Sequence, residues 1–430
     1  MTMQFEARED FARHLDSQDP LASYRDRFAL PVRPGGTEWL YLVGNSLGLM
    51  PRAARTIVNQ ELDDWEVHGV EAHFEGRTPW FSYHEVFRET GARLVGAMPG
   101  EVVMMNSLTV NLHLMLASFY RPVPGRGLIA IEDCAFPSDS YAVASHIEQR
   151  GLDASSNVLV IRPRPNEHLL RTEDIESLLE MRGAEIAVLM LSGVNYYTGQ
   201  LFDLERIARA AQRQGCVVGF DLAHAAGNVE LRLHDWGVDF AVWCSYKYLN
   251  AGPGAIGGCF VHQRHGANLA IPRLAGWWGN DPSTRFLMHE NDRFIPRTGA
   301  DGWQISNPPI LSMAPLQASL ALFDTVGMAA LRAKSIALTG FLEFLIDTRV
   351  PTGITILTPR DIQARGCQLS LLVKGGAREL FTRIQKAGVL CDYRHPDVIR
   401  VAPVPFYNSY QDVFRFGEIL ADAISKASPA

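Results

Sequence analysis

Between residues 101 and 262, short apolar runs alternate with stretches in which apolar and polar residues repeat at helical spacing. The amphipathic stretches cover residues 107–119, 138–150, 172–182 and 203–214. Nearly continuous apolar strands separated by helices are typical of a mostly parallel sheet that is covered on both faces. The pattern therefore predicts an α/β fold for this part of the chain. The apolar runs are EVVMM (101–105), GLIAIED (127–133), NVLVI (157–161), IAVLML (186–191), CVVGFD (216–221), FAVWCS (240–245) and IGGCFVH (256–262).

After Asn307 the pattern changes, and the change predicts a second domain. A long helical stretch covers roughly residues 311–347, and further strand-like and helical runs alternate beyond it. We predict a large domain over residues 41–310 and a smaller α+β domain over residues 311–430. Residues 1–40 are predicted to be an N-terminal segment that packs on the small domain. The strand-like runs beyond 347 are 354–358, 368–374, 389–393 and 398–403, and the helical ones are near 377–387 and 409–426.

Composition excludes several classes of partner. The 430 residues are 47% hydrophobic and 20% charged with a net charge of −7, and no basic block stands out, so we expect neither a nucleic-acid nor a membrane partner. No apolar run approaches the ~18 residues that a membrane helix needs. The polar N-terminus does not resemble a secretory signal, and the six cysteines form no C-x-x-C pair, so we expect free thiols, no metal site and a cytoplasmic location.

Two charged residues follow successive apolar runs. Asp221 ends one run, and Lys247 lies just past the next. Taken singly, Asp221 is equally well explained as a helix N-cap. For Lys247 an exposed lysine at a strand end is the alternative, although a lysine between a buried strand and a glycine-rich turn has little reason to serve solubility. Ligands of parallel sheets bind at the carboxyl ends of strands, and pyridoxal 5'-phosphate (PLP) requires a lysine amine for a Schiff base and a carboxylate for its pyridinium nitrogen. The pair therefore predicts a PLP site.

Other residues match the remaining needs of such a site. Ser107 and Thr109 open a predicted helix whose N-terminus suits a phosphate, although plain capping explains them as well. Phe136 is suited to stacking on a flat ring and Asp139 to bonding a polar atom, with a simple turn as the alternative. Arg400 is the single charge in the apolar run VIRVAP, so it suits a substrate carboxylate; a solvent-exposed arginine on an edge strand is the alternative.

Nine segments, in order along the chain, resemble the kynureninase family. This family consists of fold-type I PLP enzymes of the aspartate aminotransferase superfamily. The resemblance implies a large PLP-binding domain built on a mostly parallel sheet, followed by a smaller α+β C-terminal domain. The segments lie within roughly residues 40–410 and are YLVGNSLGL, SLTVNLH, FPSDSYA, NYYTGQLFDL, GFDLAHAAGN, SYKYLNAGPGAIGG, GWWGN, ISNPP and IRVAPVPFYNSY.

The resemblance also implies roles for individual residues. Lys247 matches the Schiff-base lysine and Asp221 the pyridinium partner, and we interpret Tyr246, next to the lysine, as an acid–base group. The substrate would be bound by Arg400, His73, Ser306 and Asn307, with Arg400 on its carboxylate. The implied cofactor pocket consists of Leu108, Thr109, Phe136, Pro137, Ser138, Asp139, Ser192, Asp221, His224, Tyr246, Lys247, Trp277 and Asn307.

The implied activity is hydrolysis of L-kynurenine to anthranilate and L-alanine, in tryptophan catabolism or NAD biosynthesis. The sequence leaves 3-hydroxy-L-kynurenine open as a second substrate. The resemblance implies a homodimer with active sites at the subunit interface, to which Trp277 and Asn307 of the partner subunit would contribute.

Two other functions are compatible with this type of fold. A cysteine desulfurase-like enzyme or another class V PLP transferase needs a nucleophilic cysteine on a mobile loop, and neither Cys367 nor Cys391 lies in one by sequence. A non-catalytic ligand sensor of the same fold is disfavoured by the intact pair of Lys247 and Asp221.

Overall fold

The computed structural model describes residues 4–290, 293–350 and 352–426. Its strands, numbered along the chain, are β1 Phe28–Ala29, β2 Leu40–Tyr41, β3 Met50–Pro51, β4 Val102–Met104, β5 Leu128–Glu132, β6 Val158–Ile161, β7 Ile186–Ser192, β8 Val217–Asp221, β9 Phe240–Cys244, β10 Gly257–Val261, β11 Ile354–Ile356, β12 Leu369–Val373, β13 Val389–Leu390, β14 Asp392–Arg394 and β15 Val398–Val401. Its helices are α1 Glu9–Gln18, α2 Arg52–His68, α3 Ala72–Glu75, α4 Arg88–Val95, α5 Leu108–Phe119, α6 Pro137–Gln149, α7 Ala154–Asn157, α8 Thr172–Arg182, α9 Leu204–Arg213, α10 Gln263–Gly266, α11 Ile310–Val326, α12 Met328–Arg349, α13 Ala377–Lys386 and α14 Tyr410–Ser425.

A seven-stranded sheet in the order β4-β10-β9-β8-β7-β5-β6 forms the centre of the large domain. The five strands from β9 to β6 are parallel, and β10 runs antiparallel to both of its neighbours. Successive residues of β7 enter different cores: Leu189 and Leu191 pack in one apolar cluster, Val188 and Met190 in another. Side chains of a strand alternate between its faces, so both faces of this sheet are covered. The predicted α/β fold is confirmed.

A second sheet, in the order β11-β12-β15-β14, is wholly antiparallel. Helices α12, α13 and α14 pack against it in a separate apolar core. Ala12 of α1 lies in this core, and so do Leu40 and Leu42, because β2 pairs in parallel with β13. By contrast, Met313 and Phe323 of α11 pack in a core of the large domain.

Local backbone chemistry explains where the elements differ from the predicted ones. The helical stretch predicted over 311–347 is two helices, because Gly327 between them has a φ of +79°. The run predicted as one strand over 389–393 is divided at Cys391, and its halves β13 and β14 belong to different sheets. Helix α1 ends at Gln18, and Asp19 is extended because it precedes Pro20.

In the part of the chain that the structure describes, no helix has the length and apolar character needed to span a membrane.

Candidate active site

A cavity opens at the carboxyl edge of the large sheet, where β7, β8 and β9 lie side by side. Ser192 ends β7, Asp221 ends β8, and Lys247 follows β9 by three residues. Helices α5 and α6 begin at the same edge. The cavity is lined by Leu108, Thr109, Phe136, Ser192, Val194, Tyr196, Asp221, Ala223, His224, Tyr246 and Lys247.

The Lys247 amine lies inside this cavity between two rings. Its Nζ is 3.0 Å from Nε2 of His224 and 5.8 Å from the centre of the Phe136 ring. Burial lowers the pKa of His224 well below its ordinary value, and the positive charge of Lys247 lowers it further. His224 is therefore neutral at physiological pH, so its Nε2 accepts a hydrogen bond from the Lys247 amine.

Three buried carboxyl groups, those of Asp221, Asp139 and Glu132, lie close to one another at this edge of the sheet. Asp221 accepts a hydrogen bond of 2.7 Å from the Ala223 N–H, which orients its carboxylate. Burial raises the pKa of Asp139 well above its ordinary value, and the charge of Asp221 adds to this effect. Burial also raises the pKa of Glu132 to about 7. The cluster therefore retains protons near neutral pH, and its net charge is less negative than three ionised carboxylates would give.

Helices α5 and α6 present their N-termini to one another. The hydroxyl oxygens of Thr109 and Ser138 lie 2.9 Å apart. No side chain caps either helix start, so N–H groups of the first turn of α5 remain for an anion. In α6, Pro137 has no N–H and the Asp139 N–H donates to the Phe136 carbonyl, so Ser138 supplies the N–H that remains. This geometry is compatible with the predicted phosphate site, to which α6, which begins at Pro137, would contribute as well as α5.

The Tyr246 phenol faces the same cavity as Lys247. Burial raises the pKa of Tyr246, and the neighbouring Cys244 and Asp221 raise it further. The phenol therefore keeps its proton across the physiological pH range. In this environment Tyr246 is suited to donating a proton or a hydrogen bond rather than to acting as a base.

Arg400 on β15 lies next to the cavity, behind Tyr196. Its side chain is fully buried, and Nη1 donates to the Tyr196 carbonyl at 2.6 Å. Asp392 lies against the Nε–Nη2 edge of the guanidinium. Nε donates to one Asp392 oxygen at 3.2 Å, and Nη2 lies 2.8 Å from the other. The guanidinium is planar, so the second N–H of Nη2 points along the Nη1–Nη2 edge, where it remains for a carboxylate.

Eight predicted site residues do not line the cavity. Pro137, Ser138, Asp139 and Arg400 lie beside it. The other four are His73, Trp277, Ser306 and Asn307. They lie together on a different surface. A chain of ring contacts, 4.9 to 6.4 Å between centroids, leads from His73 through Phe74, Phe81 and Trp278 to Trp277. Ser306 and Asn307 are exposed beside it, since the Trp278 N–H donates to Ile305.

Sequence reasoning missed four residues of the site. Val194, Tyr196 and Ala223 line the cavity, and Glu132 holds Ser192 by accepting hydrogen bonds from its N–H and its hydroxyl. Glu132 had a sequence signal, because the apolar run GLIAIED ends in two charged residues, Glu132 and Asp133. Tyr196 lies within the segment NYYTGQLFDL, but nothing in that segment alone marks this tyrosine rather than Tyr197.

Comparisons with known proteins identify a family and a fold for this chain. The family "Kynureninase C-terminal domain" matches residues 331–420. A kynureninase from Myxococcus xanthus strain DK1622 is 57% identical over 417 residues, which are 97% of each chain. The solved apo structure of a cysteine desulfurase from Thermococcus onnurineus NA1 has a TM-score of 0.72 at 16% identity, covering 90% of this chain and 95% of that one. A C-DES variant with glycine covalently linked to its PLP cofactor has a TM-score of 0.76 at 18% identity, covering 93% and 99%.

Proposed function

The chain belongs to the kynureninase family, and on this premise we propose that it hydrolyses L-kynurenine to anthranilate and L-alanine with PLP as its cofactor. One observation carries the proposal. The Lys247 amine and the Asp221 carboxylate, on adjacent strand ends, face one cavity that also receives the N-termini of α5 and α6. Sequence identity to kynureninases, rather than geometry, names the substrate.

The residues of the cavity fit PLP. Its phosphate would be held by the uncapped starts of α5 and α6, and its pyridinium nitrogen by Asp221. Two buried polar atoms here have no hydrogen-bond partner within the protein, Oδ1 of Asp139 and Nδ1 of His224, as expected of groups that await a ligand. When bound, PLP withdraws electrons from the bonds at the α-carbon of an amino acid.

The protein's own groups supply the proton transfers. Lys247 Nζ removes the α-proton and later returns it. His224 accepts a hydrogen bond from this amine and, because it is neutral, places no second positive charge beside it. Asp221 stays oriented by its bond from Ala223. Hydrolysis requires water to add to the γ-carbonyl carbon of kynurenine. Tyr246, which keeps its proton, donates either to the carbonyl oxygen that gains negative charge in this addition or to Cβ, which gains it when the Cβ–Cγ bond breaks.

Arg400 orients the substrate. Its free Nη1–Nη2 edge takes the α-carboxylate bidentately, while Asp392 and the Tyr196 carbonyl keep the guanidinium from turning. Residues that bind the aromatic ring complete the site.

The rival cysteine desulfurase activity has less support. Burial raises the pKa of Cys367 and of Cys391 to about 12, so neither thiol is a nucleophile at neutral pH. The solved desulfurase shares the fold, but at 16% identity this likeness does not extend to activity.

A homodimer and a cytoplasmic location are part of the proposal. Several apolar side chains of α2 and the segment after it are exposed in one chain, which favours burial against a second copy: Leu62, Trp65, Val67, Val70 and Phe74. All six cysteines, each within the described residues, are free thiols, as is usual in a reducing compartment.

Purified protein reconstituted with PLP tests the proposal when it is assayed on L-kynurenine and on its 3-hydroxy form. We expect anthranilate, followed by its fluorescence, and alanine in equal amounts. The variant Lys247→Ala is expected to lose both turnover and the visible absorbance of the covalently held cofactor. Lys374→Ala, an exposed lysine on the small domain, is the control and should match the unaltered protein. Turnover by Lys247→Ala would refute the assignment.

A further inference from the structure

A groove on the outer surface of the large domain is lined by five basic side chains and no acidic one. It lies between α5, α6 and residues 272–274 and has a volume of about 440 Å³, which is in the usual range for small-molecule sites. Its lining consists of His113, Ala117, Arg121, His146, Gln149, Arg150, Pro272, Arg273 and Leu274.

No carboxylate compensates the three arginines of this groove. Arg121 donates to the carbonyls of Ser118 and Pro272, and Arg150 donates to that of Ala117. Arg273 donates to two carbonyls of its own loop and stacks 3.9 Å above the Trp303 ring. Among the described residues, none of these arginines forms a salt bridge, although the chain carries 47 acidic residues and a net charge of −7.

Two nitrogens in the groove are buried without a partner. They are Nη1 of Arg273 and Nε2 of His146, and His146 is only 5% exposed. Burial lowers the pKa of His146 to about 4, and the charges of His113 and Arg150 contribute to the shift. Both nitrogens are therefore available to bond a ligand that carries oxygen acceptors.

Helix capping explains only part of the arrangement. Arg121 and Arg150 bond carbonyls in the last turn of α5, where basic side chains stabilise the helix dipole. That role does not account for Arg273 or His146, which bond no carbonyl at this helix end. It also does not explain why the basic groups converge on one concave surface.

The groove is separate from the candidate active site, although the same two helices run past both. Thr109 and Ser138 are in the first turns of α5 and α6, whereas Ala117 is eight residues farther along α5 and His146 eight residues farther along α6. At 1.5 Å per residue this separation is roughly 12 Å.

We propose that this groove binds a small polyanion, a metabolite that carries at least two phosphate or carboxylate groups. Guanidinium forks match both kinds of oxyanion, and three of them around one concavity suit a ligand with more than one negative group. The ligand would also provide the partner that His146 and Arg273 lack.

Calorimetry on the holoenzyme tests this proposal, because PLP then fills the other anion site. The probes are pyrophosphate and citrate, which distinguish phosphate from carboxylate chemistry, at about 150 mM NaCl so that weak surface attraction is screened. We expect one site per chain for at least one probe, with a dissociation constant below about 1 mM. Arg150→Met should weaken it at least about tenfold, because the variant removes one fork.

Arg52→Met is the matched control, since Arg52 is also an exposed arginine that bonds only a carbonyl. It should bind the probes as the unaltered protein does. Sedimentation of Arg150→Met is measured in parallel. The proposal is overturned if neither probe binds at about 10 mM or if both variants bind the probes alike. It is also overturned if Arg150→Met fails to bind only because the oligomer dissociates, since the groove would then be a contact between subunits.

Discussion

Arg400 illustrates how one buried side chain sets the binding mode of a substrate. Its guanidinium is held on two sides, by Asp392 and by the Tyr196 carbonyl, and the remaining edge is geometrically suited to a carboxylate. A lysine ammonium at this position has a single nitrogen, so it cannot contact both partners and the substrate in the same way.

We expect Arg400→Lys to raise the KM for kynurenine by about tenfold or more, which corresponds to ~1.4 kcal/mol, with a smaller change in kcat. Steady-state kinetics measure both. Arg378→Lys, at an exposed arginine above the Tyr393 ring, should leave the kinetics unchanged. An unaltered KM in Arg400→Lys would remove Arg400 from the substrate site.

Glu132, at the candidate active site, makes the stability of the folded chain depend on pH. Both hydrogen bonds from Ser192 reach Oε1, so Oε2 is free to carry a proton. Burial raises the pKa of Glu132 from 4.5 to about 7. The folded chain thus keeps a proton that the unfolded chain has lost. The resulting stabilisation is complete below about pH 4.5 and is lost as the pH rises through 7.

Glu132→Gln keeps the Oε1 acceptor and cannot ionise. We expect it to melt near the unaltered protein at about pH 5 and at a higher temperature at about pH 8, with a difference in unfolding free energy that grows by at most ~1.4 kcal/mol per pH unit. Melting curves across this range measure the effect. Glu148→Gln, exposed on α6, should follow the unaltered protein, whereas parallel curves for Glu132→Gln would contradict the raised pKa.

At the scale of elements, the phosphate cradle depends on a close approach between β10 and α5. Gly257 of β10 faces the start of α5, and a Cβ there would lie 3.0 Å from the Ser107 carbonyl carbon and 3.1 Å from the Leu108 nitrogen. Both neighbours are backbone atoms, so the helix start itself would have to move.

We therefore expect Gly257→Ala to cost ~1–3 kcal/mol in overpacking and to weaken PLP binding by about tenfold. Titration of the apoenzyme with PLP measures this. Gly100→Ala is the control, because no atom lies within 4 Å of its added Cβ. If Gly257→Ala binds PLP normally, the start of α5 does not hold the phosphate.

The elements of the large domain were predictable because apolar runs and amphipathic stretches differ in period. Strand β8 occupies 217–221 against a predicted 216–221, and α8 begins and ends as predicted. Pairing over long sequence distances was not predictable. The sequence does not reveal that β2 pairs with β13, because a two-residue strand carries no periodicity of its own.

The residues of the candidate site were easiest to predict where they follow strands directly. Lys247 and Asp221 carried that signal, whereas the neutral state of His224 depends on burial and on charges from Lys247, Arg400 and Arg394, which only the fold brings together. The sequence predicted an acid–base role for Tyr246, and the fold makes this role more specific. Burial raises the pKa of the phenol, which makes it a proton donor.

At the scale of the whole molecule, the predicted site residues occupy two separate surfaces of one chain. Lys247, Asp221 and their neighbours form the cavity, whereas His73 and Trp277 belong to one continuous cluster of rings elsewhere, with Ser306 and Asn307 beside it. In a symmetric dimer, each surface of one chain can face the complementary surface of the other. We infer that the ring cluster of each subunit completes the cavity of its partner.

Mixed dimers distinguish this arrangement from a site within one chain. One parent carries Lys247→Ala and the other carries Trp277→Ala with Asn307→Ala, and each is expected to be nearly inactive. If the two surfaces meet across the interface, half of the randomly mixed dimers contain one intact site, so about a quarter of full activity should return. Mixing Lys247→Ala with Asp221→Ala should restore nothing, because these residues line the same cavity of one chain. No recovery in the first mixture, with dimers confirmed by sedimentation, would place Trp277 and Asn307 outside the partner's active site.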